Sequence, residues 1–286
     1  MNTQPFLGHK SKDIIPGYPV LFGCPLDLTC TYRKGTGEAP DSIRLASDSI
    51  ETYSPLLDRD LCDVQFSDLG DLDLVGQSLE ASLKRIREAT LKILENGAKP
   101  VCIGGEHTLT LPIVEAVKEI HGDFMTLHLD AHSDLRDNYE GSAVNHATVI
   151  HQVCRVIGPT RLLQLGIRAG TKEEFCWMRE HRTLMEWTGE SQKALLKRIS
   201  DVPVYLTLDL DVLDPSCFPG TGNPEPGGWF YQDLERFFRI LDQVNVVGAD
   251  IVELNPTVDP SGVSSITAAK IVREVLLILA GNPDSS

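Results

Sequence analysis

The sequence predicts an α/β protein built on a mostly parallel sheet with helices on both faces. Short apolar runs alternate with longer stretches of helical spacing from residue 20 almost to the end, the order expected of βα units. The runs are near-continuously apolar, as strands are when both faces of a sheet are covered. No internal repeat, low-complexity tract or Ser/Gly-rich linker divides the chain, so residues 1–286 are read as one domain.

In chain order, "PVLFG" (19–23) is the first strand and "VQFSDLGDL" (64–72) a weaker one. "SLEASLKRIREATLKILENG" follows, with Leu79, Leu83, Ile86, Ile93 and Leu94 at helical spacing and Gly97 placed as a C-cap. Further strands are expected at 99–105, 124–130, 161–167, 202–211 and 244–253. Helices are expected near 108–121, 146–156, 171–181, 190–199, 231–242 and 264–280, and the final "GNPDSS" as a frayed tail.

A net charge of −15 leaves no cationic surplus to neutralise phosphates, so nucleic acid is not an expected partner. The acidity suits a cationic substrate or metal binding. No apolar run approaches the ~20 residues that span a bilayer, so no membrane partner is expected. The opening "MNTQPFLGHKSKD" lacks the charged start and apolar core of a signal peptide. The seven cysteines (24, 30, 62, 102, 154, 176 and 217) form no C-x-x-C pair and read as reduced. A cytoplasmic protein is the expectation.

The chemistry is expected at the carboxyl ends of the strands, where ligands of parallel sheets gather. "VCIGGEHTLT" ends in His107 after two glycines, and "TLHLDAHSD" ends in Asp130, His132 and Asp134. "YLTLDLDVLDP" ends in Asp209 and Asp211, and "GADIVELNP" in Glu253. A strand would aim Asp130, His132 and Asp134 to one side, since alternate side chains share a face. The first three clusters pool four carboxylates and two imidazoles, a density of charge that is costly to bury unpaired. Two divalent ions sharing these groups remove the difficulty. Hard oxygen ligands with a minority of nitrogen favour manganese over zinc. Singly, each piece is ordinary: a lone D-x-H-x-D or "DLD" is a weak motif, and His107, His128 and His151 would pass for structural histidines.

The motifs "GGEHTLT", "LDAHSD", "LTLDLDVLDPSCFPGTGNPEPGG" and "GADIVELNP" strongly resemble signatures of the ureohydrolases, the arginase and agmatinase family. "RKGTGEAPDSIRLAS" and "ETYSP" extend the likeness over roughly residues 20–280, and "GIRAGTKEEF" and "NHATVI" resemble its agmatinase branch. The resemblance implies a three-layer αβα fold with a binuclear manganese site, two ions per chain. It implies His107, Asp130, His132, Asp134, Asp209 and Asp211 as metal ligands, His146 as the active-site histidine, and Glu253 as the acid that holds the guanidinium. It also implies a homo-oligomer, trimeric or hexameric. Two departures stand out: Glu106 occupies a position where many members carry Asp, and Ala147 follows His146 where arginases have Gly.

A guanidinium carbon is a poor electrophile, so hydrolysis needs a strong nucleophile, a clamp on the positive charge and a proton for the leaving amine. The metals would supply hydroxide, with Asp134 accepting its proton; Glu253 would clamp the guanidinium, and His146 would carry the proton to the amine. The expected substrate is a small cationic guanidino compound, agmatine first. The arginase pattern for an α-carboxylate is absent, and Arg136 stands in its place. Arg136 is read either as a carboxylate partner, which would suit 4-guanidinobutyrate, or as a surface arginine paired with Asp137. Glu225, in a Gly/Pro-dense loop, is open between turn chemistry and a contact to a substrate amine. Other guanidino acids, arginine or a non-catalytic metal-binding relative complete the alternatives. A binuclear phosphoesterase would carry a G-N-H-[DE] signature, which this chain lacks.

Overall fold

The computed structural model describes residues 4–9 and 11–281; the tail expected at 281–286 lies outside them beyond Gly281. Along the chain run β1 (Pro19–Cys24), α1 (Ala39–Ser47), β2 (Tyr53–Ser54), β3 (Arg59–Asp60), β4 (Ser67–Asp71), α2 (Leu79–Glu95), β5 (Lys99–Gly104), α3 (Thr110–His121) and β6 (Met125–Leu129). There follow α4 (Val149–Ile157), β7 (Leu162–Leu165), α5 (Lys172–His181), β8 (Leu184–Met185), α6 (Gly189–Ile199), β9 (Val204–Asp209), α7 (Tyr231–Leu241), β10 (Val246–Val252) and α8 (Val263–Ala280).

Eight strands form one sheet in the order β4-β1-β5-β10-β9-β6-β7-β8, and every pairing is parallel. Strands β1, β6, β9 and β10 are buried at every residue, which is why their sequences read as continuous apolar runs. On one face Ile86, Ile113, Val153 and Met178 from α2–α5 pack on Phe22, Cys102 and Tyr205. On the other, Ile43, Leu195, Phe237 and Val272 from α1, α6, α7 and α8 pack on Leu21, Leu127, Leu206 and Ile251. The architecture is three-layered αβα. Each such buried aliphatic side chain contributes about 1.5–3 kcal/mol relative to exposure.

Three features escaped the periodicity reading, each for a physical reason. Helix α1 carries a charge on its buried face: Arg44 is buried and holds Asp68 of the edge strand β4 at 2.8 Å. That pairing also explains why β4 reads as polar. The β2–β3 hairpin and β8 are two-residue strands, too short to show any period.

The topology fixes where chemistry can occur. From β5 the chain crosses to β6, three places along the sheet, and β9 and β10 later fill the gap. Parallel pairing brings the carboxyl ends of β5, β10, β9 and β6 side by side at one edge, the crevice such sheets offer to ligands.

Candidate metal centre

The expected residues cluster at that edge, but from turns rather than from strand faces. Strand β6 ends at Leu129, and Asp130, His132 and Asp134 lie in the following loop. Alternation along one strand is therefore corrected: Asp134 has φ +51°, which no strand residue adopts. Asp209 closes β9, and its side chain accepts from the Asp211 N–H (2.8 Å) in a one-turn 3-10 helix. His107 opens another such turn leading to α3. Glu253 follows β10 with φ +64°. Leu7, Asp58, Glu140 and Arg182 share this conformation at exposed or half-buried positions; among the described non-glycine residues only Asp134 and Glu253 hold it buried, a strain their surroundings must enforce.

Three carboxylates converge on the His107 ring. Its Nδ1 lies 3.3 Å from Asp130 Oδ2, 3.2 Å from Asp134 Oδ2 and 3.4 Å from Asp209 Oδ2. Yet this buried nitrogen makes no hydrogen bond. Atoms bound at ~2.1 Å to a common ion stand about 3 Å apart, so these separations fit a cation between them. A second cluster adjoins the first. His132 Nδ1 is 2.8 Å from Asp211 Oδ2 and 3.6 Å from Asp130 Oδ1. Asp130 thus presents one carboxylate oxygen to each cluster. All six expected ligands are brought together, and the donor set fits divalent cations.

The electrostatics carry the same signature. Burial alone would lower the His107 pKa, but the carboxylates of Asp130, Asp134 and Asp209 hold it well above the ordinary value. Likewise, burial would lower His132, and Asp211 with Asp130 raises it instead. Burial, then the charges of Asp211 and Asp130, push Asp209 well up. Burial pushes Glu253 up to about 8, against the opposing bond from His107 N–H. These shifts run together: a buried cluster of carboxylates favours positive charge among them.

Supporting contacts went unread in the sequence. His128 is a hydrogen-bonded structural histidine, as its place in the strand suggests: its Nε2 lies 2.7 Å from Asp130 Oδ2, while Gln164 Nε2 lies 3.2 Å from its Nδ1. Both ring nitrogens are engaged, so His128 orients Asp130 rather than holding an ion. His107 Nε2 meets Thr207 Oγ1 at 2.8 Å, and Thr207 donates to buried Asp250 at 2.7 Å. That chain places the His107 proton on Nε2 and leaves Nδ1 for a cation. Asp250 lay within the quoted "GADIVELNP"; buried mid-strand polar residues such as Asp250, Thr207 and His128 were the available signal.

A cavity of about 710 Å³ opens over the cluster, lined among others by His132, Asp134, Asp209, Asp211, His146 and Glu253. Glu253 is buried, and its Oε1 accepts the His107 N–H at 2.7 Å. His146 begins the 3-10 turn that leads into α4, capped by Asn145. Arg136 also lines the cavity, its guanidinium 4.8 Å from the Tyr139 ring centroid. Of the two alternatives for Arg136, the pairing with Asp137 does not form: Asp137 lies 4.0 Å from His151, and Arg136 has no ion pair among the described residues. Glu225 lines the cavity too, while its carbonyl accepts from Arg168 (2.7 Å), which also donates to the carbonyl of Asp211 (2.8 Å).

Comparisons with known proteins give the family. The agmatinase of Bacillus anthracis is 42% identical over 262 residues, covering 90% of each chain. The guanidinobutyrase of Pseudomonas aeruginosa is 32% identical over 276 residues, covering 91% of this chain and 85% of that one. The solved structure of proclavaminate amidino hydrolase from Streptomyces clavuligerus superposes with a TM-score of 0.88 at 28% identity, covering 98% of both chains. Residues 18–278 match the model of the arginase family, and the chain belongs to that family.

Proposed function

We propose that this protein hydrolyses agmatine to putrescine and urea at a pair of manganese ions. The observation that carries the reading is Asp130, whose two carboxylate oxygens face two separate His/Asp clusters. His107, Asp130, Asp134 and Asp209 would hold one ion, and His132, Asp130 and Asp211 the other. When bound, the metals supply Lewis-acid charge and lower the pKa of water towards ~7. The chain's own residues do the rest. Glu253, at the cavity wall, pairs with the guanidinium and fixes its carbon. Asp134 accepts the proton of the attacking water. Addition to the cationic guanidinium carbon gives a neutral adduct, and His146 delivers a proton to the alkyl nitrogen as its C–N bond breaks.

Agmatine is favoured by the acidic chain and by the agmatinase at 42% identity. One observation favours a guanidino acid instead: Arg136 lines the cavity with no carboxylate partner among the described residues. The same reading takes residues 1–286 as one domain of a cytoplasmic homo-oligomer. Among the described residues no helix is long and apolar enough to cross a membrane. The test is urea release by manganese-loaded protein with agmatine, 4-guanidinobutyrate and arginine side by side. Release from agmatine above the others supports the reading; release from guanidinobutyrate alone transfers it to a guanidino acid.

A further inference from the structure

Glu106 is fully buried, and its carboxylate is filled from one short stretch of the loop after β1. Oε2 accepts the backbone N–H groups of Leu28 and Thr29, each at 2.6 Å, and Oε1 accepts the Thr29 hydroxyl at 2.7 Å. These three donors all come from residues 28 and 29, so the carboxylate acts as a clamp on that stretch of the loop. The loop is also clamped by backbone: Glu106 N–H donates to Leu26 C=O (2.8 Å) and Gly105 N–H to Cys24 C=O (3.0 Å).

Thr29 faces His146 on its other side. Its Oγ1 accepts the His146 main-chain N–H at 3.2 Å and stands 3.4 Å from the ring nitrogen Nδ1. A hydroxyl has one hydrogen, and Glu106, which as a carboxylate cannot donate, has taken it. One lone pair takes the His146 N–H, and Thr108 Oγ1 stands 3.1 Å away, so towards the imidazole Thr29 offers its remaining lone pair and no proton. A ring with its proton on Nδ1 meets an acceptor; a ring with a lone pair there meets another lone pair. The Tyr139 ring packs edge-on at 6.0 Å and restricts the imidazole further.

We propose that Glu106 and Thr29 are positioning residues that fix the neutral tautomer of His146, with the proton on Nδ1 and Nε2 free for the cavity. The proposal rests on the reading of His146 as the proton carrier of a ureohydrolase. In that role Nε2 takes up the proton that Asp134 accepted from the water, making an imidazolium, and passes it to the leaving nitrogen as that atom receives the C–N electron pair. The ring ends neutral with Nδ1–H still on Thr29. The arm of Glu106 reaches both Leu28 and Thr29.

The test uses Thr29→Val, which keeps the shape and removes the oxygen, with Thr29→Ser as its rescue. We expect kcat to fall ~10- to 100-fold in Thr29→Val, within the range of general acid–base contributions, with KM and bound metal nearly unchanged. Thr29→Ser should restore kcat to within about threefold, and Thr29→Val should cost nothing further in a His146→Asn background, as non-additivity requires of residues acting through one another. Joint loss of kcat, KM and metal, or additive effects, would overturn the proposal. A second readout needs no substrate: the proton-coupled 15N spectrum of histidine-labelled, zinc-loaded protein, with the His146 signal assigned by its absence in His146→Asn. Neutral His146 protonated on Nδ1 in the wild type, and shifted towards Nε2 in Thr29→Val, supports the assignment; protonation on Nε2 in the wild type overturns it. Failure of the wild type to release urea would instead count against the ureohydrolase reading, leaving the spectrum to decide the tautomer.

Discussion

His128 Nε2 lies 2.7 Å from an Asp130 carboxylate oxygen, and both side chains are fully buried. The donor from Gln164 on the opposite ring nitrogen makes His128 donate to Asp130, fixing a carboxylate shared by both cation clusters. Such outer contacts commonly govern metal affinity ~10- to 100-fold. His128→Leu should weaken manganese binding by about that factor while the protein stays folded, as a metal titration followed by calorimetry would show. Unchanged affinity would mean that Asp130 is oriented by other contacts.

Protonation and metal compete for the same pocket, which gives stability a pH dependence of known sign. The raised pKa of Glu253 (about 8) and of His107 and His132 means the native metal-free protein binds more protons than the unfolded chain. Stability from such groups is complete below their unfolded pKa values and is lost as pH rises towards the folded ones. The metal-free protein should therefore melt at lower temperature as pH rises from about 5 to 8, and added manganese should raise its Tm most at the upper end. Thermal melts with and without metal check this; a metal effect that shrinks with rising pH would contradict it.

The two clusters should be separable. His132→Ala removes a nitrogen from one cluster only, whereas Asp130→Asn weakens both. Metal analysis after dialysis should find about one manganese per chain in the first variant and less in the second. Equal loss in both would deny the division drawn here.

Gly105 is where the His107 turn presses on the loop that carries Thr29. A Cβ at this glycine would stand 2.0 Å from the Leu26 carbonyl oxygen, so Gly105→Ala forces backbone apart. Chemical denaturation should show a loss of about 1–3 kcal/mol, the usual range for overpacking. An unchanged midpoint would show that the loop yields freely.

The layers and the parallel sheet were legible because strands buried on both faces leave unbroken apolar runs, as in β9 and β10. Asp130, His132, Asp209 and Asp211 were legible because chemistry at a strand end needs several charged residues within a few positions. What escaped depends on contacts distant in sequence. Arg44 on α1 is buried because Asp68 faces it, 24 residues on. Thr207 and Asp250 are paired across neighbouring strands, and Glu106 reaches Thr29 across 77 residues. A polar residue inside a strand announces that a partner exists, but not which one. The left-handed turns at Asp134 and Glu253 left no trace either, since neither residue is glycine.

The measurement that bears most directly on the central claim is a manganese titration of metal-stripped protein, with bound metal and urea release from agmatine read on the same samples. The account predicts that both rise together and level off at two manganese ions per chain. Urea release that saturates at one ion, or that is indifferent to metal, would contradict it.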